Sequence, residues 1–124
     1  MDEDELDRWQ HEQLIWALRW VAADPEAAIA AAGTNVVIAD EIALGLDAVI
    51  QTGRATRRLA PSIRAAIGEI DAIFGQMSRR EHAQFWTAEA IRSDSRWAQQ
   101  RERARRVLKQ LGERRADGEL PGHV

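Results

Sequence analysis

The chain of 124 residues contains no cysteine, a single lysine (Lys109) and three prolines. Without cysteine it can form no disulfide, no thiolate metal site and no sulfur nucleophile. No apolar run reaches the about eighteen residues that mark a membrane-spanning helix, so no membrane partner is expected. The first residues, Met1-Asp2-Glu3-Asp4-Glu5, are opposite in charge to the basic start of a secretory signal, and the expected location is the cytoplasm. Catalytic signatures are missing as well. There is no Gly-x-Ser-x-Gly elbow, no glycine-rich phosphate loop, no His-Glu-x-x-His pair and no Arg–His spacing of the kind helical ribonucleases use. Histidine occurs three times, at His11, His82 and His123. His11 shares a helix face with Asp7, but two side chains are too few to hold a metal ion. The expectation is a protein that is not an enzyme, with no catalytic, cofactor-binding or metal-binding residues and no cofactor.

Charge is abundant and unevenly laid out. The net charge is −3, yet residues 1–53 sum to −9 and residues 54–115 to +8. Such a split reads as two halves that attract one another on folding, ahead of two separate partners of opposite sign. Sixteen of the seventeen basic residues are arginine, and alanine is frequent, a skew typical of GC-rich bacterial genomes.

Helical periodicity fills the intervals between breakers, and the expected fold is all-α: a compact single-domain bundle of five to six helices over residues 1–112, with 113–124 a flexible tail. The first helix, from about Asp4 to Ala23, has two apolar arcs. Leu6, Trp9, Trp16 and Trp20 fall within roughly 80°, and Leu14, Leu18 and Val21 lie nearly opposite. Asp24-Pro25 opens a short alanine-rich helix that Gly33 ends. Thr34 and Asn35 can cap a third helix, from about Val36 to Thr52, with core stripe Ile38, Ile42, Leu46 and Val49 and with Gly45 leaving room for close approach. Pro61 opens the most regular segment, where Ile63, Ile67, Ile70, Phe74 and Met77 recur in steps of four and three. Ser78 and Glu81 have capping-box spacing before a helix carrying Phe85, Trp86 and Ile91. Ser93-Asp94 caps a last helix with stripe Trp97, Ala104, Leu108 and Leu111.

Two features carry the functional expectation. Five tryptophans are many for this length, and a helix with two opposed apolar arcs needs a second surface to cover one of them. Asp40 and Asp47 share one face of the third helix, with Glu41 beside them, which reads as a solvated acidic face or an acidic docking surface. The partner-binding candidates are therefore Asp40, Glu41, Asp47, Trp9, Trp16 and Trp20, and the partner is another protein or, through the tryptophan arc, a second copy in a homodimer. The last helix holds Arg96, Arg101, Arg103, Arg105, Arg106 and Lys109, the basis of an alternative DNA-binding reading. Those side chains point all round the axis, and the overall acidity opposes phosphate, so nucleic acid is disfavoured. A structural subunit acting only in an oligomer is the remaining alternative.

From Asp40 onward the chain resembles a known group. Ala39-Asp40-Glu41-Ile42, the Ile63–Met77 seam, Phe85-Trp86-Thr87 with Glu89-Ala90-Ile91, and Trp97 followed by Arg101, Ala104-Arg105, Leu108 and Leu111-Gly112 are similar to small all-helical actinobacterial proteins found near polymorphic toxin genes. That resemblance implies an immunity-type inhibitor that binds and blocks a bacterial toxin domain.

Overall fold

A computed structural model describes residues 2–33, 38–78 and 80–113, which form six α-helices, one 3-10 helix and no strand. Helix α1 (Glu3–Ala22) starts where the Asp2 carboxylate accepts from the Glu5 amide at 2.8 Å, and Glu3, Asp4 and Glu5 place negative charge at the positive end of the helix dipole. Asp24 caps α2 (Pro25–Ala32), which ends at Gly33 with φ of 80°, a conformation glycine adopts freely. Helix α3 spans Ile38–Gln51; the expected cap at Thr34 and Asn35 falls outside the described residues. Pro61 opens α4 (Pro61–Met77).

The next segment differs from its expectation. Instead of one helix from Ser78, a 3-10 helix (Arg80–Phe85) precedes α5 (Ala88–Ser93). Ser78 donates its hydroxyl back to the Gly75 carbonyl at 2.9 Å, so it closes α4 rather than capping a new helix. Thr87 takes the capping role, accepting from the Ala90 amide at 3.0 Å. Two tryptophans hold the break in place: Trp86 Nε1 donates to the Met77 carbonyl and Trp97 Nε1 to the Phe85 carbonyl, both at 2.7 Å. Asp94 then caps α6 (Ser95–Gln110), and the chain leaves it through Gly112, with the Glu113 amide bonded to the Leu108 carbonyl. The rest of the expected tail lies outside the described residues.

Helix α1 is the hub, packed along α6 on one side and α3 on the other; α4 closes against α3 and α6, and α2 with α5 covers one end. Its Leu14, Leu18 and Val21 arc is buried with Ile42 and Leu46 of α3, Ile67 and Ile70 of α4, and Ala104 and Leu108 of α6. Each such leucine or isoleucine contributes on the order of 2 kcal/mol of apolar burial. Phe74, Trp86 and Trp97 meet with ring centroids 5.2 to 6.2 Å apart. Gln100, fully buried, donates to the Ile70 carbonyl at 2.8 Å and so ties α6 to α4.

The fold pairs part of the split in charge. Asp7 is buried, and its carboxylate meets Arg54 at 2.8 Å, Arg57 at 3.1 Å and Arg58 at 2.8 Å. Glu3 and Asp4 join the same cluster through Arg54, Arg57 and Arg58. Burial alone would raise the Asp7 pKa; hydrogen bonds from Arg54 and Arg57 and the charges of Arg57 and Arg58 outweigh it and hold the carboxyl below its usual range.

Candidate protein-binding surface

Helix α3 is basic-free, and its neighbourhood in sequence is too: no lysine, arginine or histidine stands between Arg19 and Arg54. Ile38, Ala39, Ile42 and Leu46 turn into the core, so the opposite side of the helix, with Asp40, Glu41 and Leu44, faces outward as a ridge. A groove runs along each flank.

The first groove lies between α1, α2 and α3 and encloses about 390 Å³. Trp16, Trp20 and Ala17 form one wall, Ile38, Ile42, Gly45 and Val49 the other, and Ala31 and Ala32 lie at the α2 side, with Glu41 and Gln13 as polar members. Trp16 is 45% exposed and meets Trp20 edge-on at 6.5 Å. Gly45 does not mediate close packing as expected. A Cβ built there would meet nothing within 4 Å, because the glycine borders open groove.

The second groove, of about 530 Å³, lies between α3 and α4 and holds Asp40, Asp47 and Asp71 together with apolar Leu44, Phe74 and Trp86. Here the Asp71 carboxyl is pushed up to about 6, first by burial and then by the charge and hydrogen bonding of Asp47 across the groove. Gln51 donates to the other carboxylate of the pair, Asp47, at 3.2 Å.

The candidate residues are thus divided by the ridge. Glu41, Trp16 and Trp20 come together in the first groove, and Asp40 and Asp47 in the second. Trp9, 46% exposed on α1, lines neither. Two members fell outside the candidate set. Leu44 reads as an ordinary apolar position, yet it is 63% exposed. Asp71 sits in the regular α4 seam region, and only the packing of α4 on α3 reveals that it faces Asp47.

Elsewhere many acids and bases are paired with one another. Glu3, Asp4 and Asp7 near the N-terminus are held by Arg54, Arg57 and Arg58, with Asp2 serving as a cap. Four of the five α6 arginines are engaged within the fold. Arg101 donates to the Ile91 carbonyl and Arg105 to the Ala22 carbonyl, Arg103 pairs with Glu69, and Arg96 lies 4.3 Å from the Phe85 ring centre. That leaves Arg106 and Lys109 as the exposed basic side chains of this helix without a described partner, few for tracking a nucleic-acid backbone. His11 and Asp7 line a common hollow, but the Asp7 carboxylate is saturated by guanidinium groups that would repel a metal ion. Among the described residues no three histidine or carboxylate side chains converge as metal ligands, and no helix is long and apolar enough to cross a membrane. No family model, curated protein or solved structure matches the chain.

Proposed function

We propose that the chain is a non-catalytic protein-binding module of the bacterial cytoplasm, an immunity-type inhibitor that binds and blocks a toxin domain. The carrying observation is the contrast in how its carboxylates are used. Glu3, Asp4, Asp7, Glu26, Glu69, Glu89, Asp94, Glu102 and Glu113 each have an arginine within ion-pair distance. Asp40, Glu41 and Asp47 have no described cation, and they line the two grooves on either side of exposed Leu44. A toxin that attacks nucleic acid carries a cationic active site, which such a surface would attract over long range and neutralise on contact.

The test is growth of a host cell that expresses a candidate nucleic-acid-attacking toxin domain with or without this chain. Wild type restores growth under this reading. Reversing the ridge with Asp40→Lys and Asp47→Lys together slows association by about tenfold to a hundredfold and flattens its salt dependence, while the fold is kept. Unchanged protection and unchanged association in that double variant would remove the reading.

A further inference from the structure

We propose that the groove between α1, α2 and α3 receives an amphipathic helix of a basic partner protein, with a large apolar side chain seated beside Trp16 and a lysine or arginine over Glu41. The proposal rests on the binding-module reading above and names what that surface accepts.

Three observations converge on this occupant. The groove is apolar and open: Trp16 leaves nearly half its surface uncovered, and a side chain at Gly45 would project into empty space. Its sides include Ala17, Ala31, Ala32 and Gly45, short side chains that let another helix backbone come near, as helix-in-groove recognition requires. Its charge is of one sign. Glu41 lines it, α2 and α3 contain no cation, and Arg19 on α1 is already paired with Glu113 at 2.6 Å. A second copy docking through the same face would bring no free cation to Glu41, because α2 and α3 have none and Arg19 is paired. A basic helix meets the same surface with complementary charge.

The probe is a labelled synthetic amphipathic helix with a leucine face and lysine elsewhere, compared with a peptide that has glutamate in place of lysine. Binding to the full chain is read by fluorescence anisotropy at low and moderate salt. The lysine peptide binds, the glutamate peptide does not, and affinity falls as salt rises. Gly45→Leu fills the groove from an open helical position that tolerates a side chain, so it keeps the fold and weakens binding about tenfold or more. Glu41→Lys does the same by charge, whereas Glu102→Lys on α6 leaves the affinity within about twofold.

Full affinity in Gly45→Leu overturns the inference, as does equal binding of the glutamate peptide. So does a wild-type dimer in light scattering that Trp16→Ala converts to a folded monomer, since the groove would then be filled by a second copy. The two readings fail separately. Binding lost in Asp40→Lys/Asp47→Lys but intact in Gly45→Leu removes the groove and keeps the inhibitor. Groove-dependent binding by a chain that restores no growth keeps the groove and removes the inhibitor.

Discussion

Asp4 and Asp7 on α1 and Asp40 and Asp47 on α3 are the same chemical groups on two adjoining helices, but they are used in opposite ways. The α1 pair is met by Arg54, Arg57 and Arg58, delivered by the turn that follows α3. The α3 pair has no described cation, and Asp47 is set beside another carboxyl, that of Asp71. One cluster closes the fold; the other is charge the fold leaves unused. Folding alone would favour pairing or removing that charge, which is why the α3 ridge, rather than the more acidic N-terminus, is the better candidate for recognition.

The largest effect should come from breaking the first cluster. Asp7→Asn leaves three arginines crowded around a neutral amide, and the melting temperature should drop by several degrees. The pH dependence has a definite sign. The Asp7 pKa is depressed below 3.8, so its stabilisation is complete above that value and is lost as pH falls through the lower folded-state value. Calorimetry from neutral to strongly acidic pH should show that loss in wild type and not in Asp7→Asn.

Asp71 should respond with the opposite sign. Its pKa is raised from 3.8 to about 6, so ionising it in the folded chain is unfavourable, and stability is lost as pH rises between those values. Asp71→Asn removes that penalty and should stabilise the chain by on the order of 1 kcal/mol at pH 8, after allowing for screening on the open side of the groove, with no gain below the ordinary carboxyl range. Denaturant titrations at both ends of that window decide it. A variant that destabilises at pH 8 would mean the carboxyl is held by a favourable contact and that the groove is not electrostatically poised as described.

How much of this was legible in the sequence depends on whether the signal was local. Several helix ends were, because a residue there dictates them through its backbone or side chain: Gly33 adopts positive φ at its expected stop, and Asp24 and Asp94 cap as their positions imply. The two arcs of α1 were legible for the same reason, since periodicity separates Leu14, Leu18 and Val21, now buried, from Trp9 and Trp16, now exposed. Ser78 misled because hydroxyls both cap and close helices, and here the Gly75 carbonyl was the nearer acceptor. The division of Asp40, Glu41 and Asp47 between two grooves was not legible at all. It follows from where α1 and α4 dock on α3, and no local pattern encodes that.

Gly45 offers a smaller test of the same contrast. In an exposed helix interior glycine costs about 1 kcal/mol relative to alanine, and nothing within 4 Å of its absent Cβ requires it. Gly45→Ala should therefore stabilise the chain by up to about 1 kcal/mol in urea denaturation. Gly53→Ala, at φ of 70°, should destabilise it. If Gly45→Ala proves neutral or harmful, the groove wall is already closed in solution and the open surface beside Trp16 is lost with it.

The smallest effect should fall on Asp40. It lies in the first turn of α3, where its charge favours the helix dipole, and it has no described ion pair. Asp40→Asn should cost about 0.3 kcal/mol, near the resolution of a denaturant titration and well below the loss at Asp7. This small number discriminates well. A carboxylate that the fold needs cannot be neutralised without consequence, so a loss matching that of Asp7→Asn would show that Asp40 is paired within the chain. The ridge would then be one more internal clamp. A loss within the dipole range leaves Asp40 free for a partner, and a defect in protection from a toxin would have to arise in the complex rather than in the fold.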